Sequence, residues 1–114
     1  MPGERREIIF SQDEFREAIH TYLARSNDEA RTSEFVNVSL ETENGINAVA
    51  RFFNRGSENE FRLTMDVSEI GAALMLYCLR NHIPLPKKGQ KAVQVENDTI
   101  ILVVTIKAPW ENDE

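Results

Sequence analysis

Cysteine is nearly absent: Cys78 is the only one in the chain, so no intramolecular disulfide can form, which excludes the bridged frameworks that hold small secreted domains. That usage predicts a reducing, cytoplasmic setting. Long apolar runs are missing as well. Ile70–Leu79 spans ten residues, against the roughly 20 needed to cross a bilayer, so no membrane span is expected. The opening Met-Pro-Gly-Glu-Arg-Arg-Glu has neither an apolar core nor a small-residue cleavage site, and no leader is read there. The only histidines are His20 and His82, too few beside one cysteine to complete a familiar zinc spacing. Gly71 and Gly89 fit no phosphate-cradling pattern, and no nucleophile elbow occurs. No catalytic residue, cofactor or metal ligand set is therefore expected.

What is present describes one ordinary domain. The chain has 114 residues, 41% apolar and 28% charged, enough to bury roughly two-thirds of its unfolded surface without a staple. Residues 1–114 are expected to form a single α+β unit, with an acidic tail, 108–114, around Trp110. The formal charge is −6, which opposes generic binding to a phosphate backbone. Its distribution is uneven. Residues 70–95 hold Arg80, Lys87, Lys88 and Lys91 with no acid, while nine basic residues face nineteen acidic ones elsewhere. Such asymmetry marks a candidate contact surface.

Periodicity supplies the elements. Ser11-Gln12-Asp13-Glu14 reads as a capping box, and Phe15, Ala18, Ile19, Tyr22 and Leu23 follow on one helical stripe, with His20 outside it and solvated. Glu7–Phe10 before it is β-prone, and 27–33 after it a polar connector. Val36, Val38 and Leu40 alternate with polar residues; Asn44-Gly45 is a hairpin signal, and two further alternating runs give a meander ending at Met65. Asp66-Val67-Ser68-Glu69 caps a second helix that is apolar on nearly every side, which implies burial all round or a second apolar partner. Pro84 and Pro86 end it by His82. Val93 and Val95 alternate, Asn97-Asp98 turns the chain, and the run 100–106 is apolar on both faces, as in a central strand. The order β-α-β-β-β-α-β-β predicts a two-layer sandwich: a mainly antiparallel sheet of five or six strands with both helices on one face.

The candidate residues follow. Cys78 and His82, at i and i+4, are too few for a metal and too apolar in setting for a nucleophile; they are expected as a core thiol and a helix-end residue. Carboxylate clusters fall on caps, a connector and the tail, where they are solvated. Phe35, Val49 and Phe53 share the parity opposite to the core-facing residues and are expected on the open face of the sheet, a candidate interface. With Arg80, His82, Lys87, Lys88, Lys91 and Trp110 they make up the predicted interaction set. The leading expectation is a non-enzymatic interaction or regulatory module, self-associating as a homodimer or taking a protein partner. Two rivals stand beside it: a nucleic-acid-associated regulator using the basic loop 87–91, although no aromatic interleaves its lysines, and a small enzyme or ligand carrier with a pocket near His82.

Overall fold

Two reciprocal capping boxes set where the main helices begin. Ser11 Oγ accepts the Glu14 N–H at 3.1 Å while the Glu14 carboxylate accepts the Ser11 N–H at 2.9 Å. Asp66 and Glu69 repeat the exchange at 2.9 and 3.3 Å. Each box satisfies backbone donors that have no partner inside a helix. The computed structural model describes residues 3–86 and 88–106. It places α1 at Gln12–Ser26, α2 at Asp28–Thr32 and α3 at Val67–Arg80, with strands β1 Glu4–Phe10, β2 Glu34–Glu41, β3 Asn47–Asn54, β4 Asn59–Met65, β5 Gln90–Glu96 and β6 Thr99–Ile106. Lys87, Trp110 and the tail 108–114 lie outside the described residues.

The α+β class and the element order are those read from the sequence, with α2 added. Asn27, in the expected polar connector, is its N-cap: the side-chain oxygen accepts the Ala30 N–H at 2.9 Å, and Ala30 is fully buried. The expected single sheet is instead two separate three-stranded antiparallel sheets, ordered β1-β6-β5 and β2-β3-β4. Every connection between the two sheets runs through a helix, α1 and α2 after β1 and α3 after β4, while β2-β3, β3-β4 and β5-β6 are consecutive hairpins within a sheet. The helix pair spans both sheets. α1 packs on β1 and β2, α3 on β3, β4 and β5, and the two helices pack on each other. Ile19, Phe52, Met65, Ile70, Leu74 and Cys78 are fully buried at that junction. β6 is central in its sheet and buried on both faces from Ile100 to Val104, as its unbroken apolar run implies.

Turn chemistry differs in detail from the dipeptide signals. Asn97 and Asp98 have φ of 51° and 63° between the paired residues Glu96 and Thr99, a two-residue type I′ turn. At Asn44-Gly45 pairing stops at Glu41–Asn47, and only Gly45 has positive φ. That hairpin closes through the longer loop 42–46.

A bulge in β2 corrects one site expectation. Phe35 pairs with Phe52 and Asn37 with Arg51, leaving Val36 as the extra residue. Parity flips at the bulge, so Phe35 faces the helices instead of the open side. Its ring stacks on His20 at 4.7 Å and 7°, under the Arg16 guanidinium at 4.6 Å, and leans on Phe52 at 5.3 Å. His20 is exposed, as expected, with one face of its ring lying on that aromatic. Partial burial, helped by the Arg16 charge, lowers its pKa from 6.5. Because the unfolded chain takes up this proton more readily, the contribution is complete above the unfolded value and is lost as the pH falls from there toward the lowered folded value. Urea titrations at about pH 7.5 and about pH 5.5 should show wild-type stability falling with pH and a shallower fall in His20→Gln. Equal slopes in the two proteins would remove His20 as the cause.

Candidate interaction surface

The second helix carries apolar residues on two sides and is packed on one. Ile70, Ala73, Leu74 and Cys78 recur at helical spacing and are fully buried against α1 and the sheets. On the outward side Ala72, Met75 and Leu76 are half-buried, Leu79 is 74% exposed, and Val67 at the start of the helix is 42% exposed. Between Glu69 and Arg80 the helix has no charged residue. The sequence left two explanations for this pattern, burial all round or a second apolar partner. Among the described residues Met75 packs back toward the core and the β5 groove, Ala72 and Leu76 stay half-buried, and Leu79 is the apolar residue of this side left most open.

The helix ends in a Schellman motif. The Ile83 N–H donates to the Cys78 carbonyl at 2.8 Å and the His82 N–H to the Leu79 carbonyl at 3.4 Å, with His82 in the left-handed region at φ 58°. His82 is therefore exposed and turned out of the helix, while the Cys78 side chain is fully buried and burial pushes its thiol pKa up. The i, i+4 pair is not brought together. Ile83 and Leu85 then pack back against the core, and Gly89 returns the chain to the sheet. At φ +118°, its position would put a Cβ 2.9 Å from the Thr105 carbonyl oxygen and 3.1 Å from Ile106 Cγ1, so only glycine lets this backbone lie against β6.

Beyond Gly89, β5 runs along the edge of its sheet with Lys91, Val93 and Val95 half-buried toward the helix side and Gln90, Ala92, Gln94 and Glu96 exposed. Gly71 of α3 lies over this strand, where an added Cβ would make an ordinary 3.7 Å contact with Val93 Cγ2. A groove of about 450 Å³ lies there, lined by Val67, Met75, Lys91, Ala92 and Val93 among others. It includes both Val93 and Ala92, which point to opposite faces of the strand, so the groove opens along the free edge of β5.

This geometry divides the basic segment. Lys91 lines the groove beside Val67 and Gly71 in the first turns of α3, whereas Arg80 ends the helix, roughly 20 Å further along the axis. Arg80 and His82 stand at one end of α3 and Lys91 toward the other, so these three do not form a single cationic patch. Lys87 and Trp110 fall outside the described residues.

The open face of β2-β3-β4 keeps Val49 and Phe53 but is not an aromatic patch. Val49 is buried between its strand neighbours Ser39 and Thr64, and Phe53 pairs with Glu60 and Glu34. Ion pairs Arg51–Glu60 and Arg55–Glu34 lie across that side. Such exposed pairs contribute little stability, yet they make the face polar. A groove of about 510 Å³ between the start of α1 and β2 mixes Phe15, Val38 and Leu40 with Asp13, Arg16 and Asp98. At the α1–α3 seam, Phe10 and Tyr77 meet edge to face at 5.8 Å. Hydrogen bonds from Ser11 lower the Glu14 pKa, while burial and then the nearby Glu14 charge raise that of Tyr77. These shifts belong to the cap and the seam. Among the described residues no three His, Cys, Asp or Glu side chains are placed to share a metal ion, and no helix is long and apolar enough to cross a membrane. Compared with family models, curated proteins and solved structures, the chain matches none.

Proposed function

We propose that this chain is a non-enzymatic protein-interaction module that works as a pair of identical copies, with the outward face of α3 as its principal contact surface. The observation that carries the reading is the charge-free side of α3 where Ala72 and Leu76 are half-buried and Leu79 is 74% exposed, next to the groove that Met75 lines with β5. A single exposed leucine needs no explanation. A whole helix face without a charge does, because exposed helix surfaces are ordinarily where charged residues sit. Burying that face against its own image would remove it from water while leaving the fold unchanged. The single, fully buried Cys78 fits the same reading in a cytoplasmic setting. Nucleic-acid binding through Arg80, Lys88 and Lys91 draws less support, since Arg80 and Lys91 lie toward opposite ends of α3 on a protein of charge −6.

Sedimentation of the intact chain over a dilution series tests this. The wild type is expected to be a pair of copies at tens of micromolar. Leu79→Glu should weaken association at least about tenfold, because it buries an unpaired carboxylate at the contact. As an exposed-site change, it should alter unfolding free energy by no more than about 0.5 kcal/mol. A wild type that stays a single copy throughout would overturn the reading, as would a Leu79→Glu pair as tight as wild type.

A further inference from the structure

The free edge of β5 lies directly beside the α3 surface, and the middle of the strand is the part of that edge without a charge. β1, β2, β4 and β5 are all edge strands. β1 opens with Glu4-Arg5-Arg6-Glu7, β2 has the bulge at Val36 between Glu34 and Glu41, and β4 carries Glu60 and Arg62. Charges and bulges of this kind are how sheets discourage edge-to-edge pairing. β5 keeps its two charges, Lys91 and Glu96, toward its ends, and the four residues between them, Ala92-Val93-Gln94-Val95, hold no charge, proline, glycine or bulge.

Hydrogen-bond alternation shows what that edge offers. A two-residue turn makes its flanking pair, Glu96–Thr99, a hydrogen-bonded one, so hydrogen-bonded pairs with β6 recur at Gln94, Ala92 and Gln90. The N–H and C=O groups of Lys91, Val93 and Val95 therefore point to the open side. We propose that a second copy of this chain pairs there: β5 meets β5 of the other copy antiparallel about a two-fold axis at Val93, merging two three-stranded sheets into one of six strands. This rests on the self-association reading and specifies its geometry.

Register and charge favour a second copy over any other strand. Centring the pair on Val93 sets Val93 opposite its own image and Lys91 opposite Val95, which matches every outward-pointing backbone group with another and forms about six inter-copy hydrogen bonds. The helix-side residues Val93 and Val95 then line up under α3 of both copies, continuous with the groove that holds Val67 and Met75. The strand is also complementary to itself. Lys88 and Lys91 lie at its start and Glu96 and Asp98 at its end, so the antiparallel arrangement sets Gln90 opposite Glu96 and carries the basic end of each copy to the acidic end of the other. Opposite charge placed this way selects the antiparallel orientation and speeds encounter. A parallel pairing would set like charge against like.

Cysteine substitutions in the full chain read the register. A residue on the two-fold of a hydrogen-bonded pair sits about 5.5 Å from its image, inside the disulfide window of roughly 4.4–6.8 Å. Gln94 would be about 8 Å from its image, two residues out of step. Under mild oxidation Val93→Cys should become covalently paired, while Gln94→Cys and the wild type, whose Cys78 is buried, should not. A wild type that sediments as a pair, with Val93→Cys failing to link or Gln94→Cys linking as readily, would overturn the β5 pairing and leave self-association standing. A wild type that sediments as a single copy would overturn both.

Discussion

Gly89→Ala is expected to lose about 2–4 kcal/mol of folding free energy, a large share of the 5–15 kcal/mol typical of a domain. Two costs combine. The backbone at φ +118° lies where L residues are rarely found, and the added Cβ would meet the Thr105 carbonyl oxygen at 2.9 Å. A carbonyl in the central strand cannot swing aside as a flexible side chain would, so the loop from Ile83 to Gly89 must lift or β6 must shift. The smaller unfolded-state entropy of alanine recovers only about 0.4–1 kcal/mol of this. Urea denaturation should show a lower midpoint with little change in slope. A midpoint equal to wild type would mean that the loop is not held against β6 as described. Because Gly89 immediately precedes β5, the same substitution should also weaken self-association.

Phe52→Ala carries the second large effect, about 3–5 kcal/mol. Phe52 is fully buried, stacked on Phe61 at 5.3 Å and 11° and tilted against Phe35 at 5.3 Å. Alanine removes the middle ring of that train and leaves a cavity that two flanking strands and α1 cannot close, because each is pinned by its own pairing. For a chain of this size the melting temperature should fall by more than about 10 °C. Its neighbour supplies the contrast: Phe53 is half-buried on the polar face, and Phe53→Ala should cost only about 1 kcal/mol. If the two substitutions cost the same, the side assignment of β3 would be wrong.

The parts of this fold legible in the sequence are those set by neighbouring residues. Ser11–Glu14 and Asp66–Glu69 are local reciprocal caps, and both form as read. The stripe Phe15, Ala18, Ile19 and Leu23 is buried because helical period alone decides which side those residues share. β6 is central because nothing in its apolar run suits a solvent-facing side. The features that escaped depend on distant partners. No glycine or proline marks the bulge at Val36, so strict alternation put Phe35 on the wrong face. Which strands pair is a property of the assembled sheets, and period-two patterns are the same in one sheet of six as in two of three. The charge of residues 70–95 suggested one basic patch, but the nine residues between Arg80 and Gln90 carry the chain back along α3 and set Lys91 near its first turns. Asn27-Asp28-Glu29 did hold a signal for α2, an N-cap followed by acidic residues in the first turn, hidden by the shortness of the helix.

The face of α3 was the most informative residue pattern, and the structure sharpens its meaning. One apolar side is spent on the core, and the other stands beside the strand edge with the least protection against pairing. The proposed pairing would take Leu76 and Leu79 out of water on a small acidic protein whose exposed helix surface would otherwise be expected to carry charge.

Amide hydrogen exchange, resolved residue by residue along β5 in the intact protein at tens of micromolar, tests the central claim most directly. Ala92 and Gln94 donate to β6 whether or not copies pair; Lys91, Val93 and Val95 point to the edge and are protected only by a partner strand. All five amides should exchange slowly, with the second set losing protection on dilution. Rapid exchange at Lys91, Val93 and Val95 beside slow exchange at Ala92 and Gln94, unchanged by concentration, would contradict it.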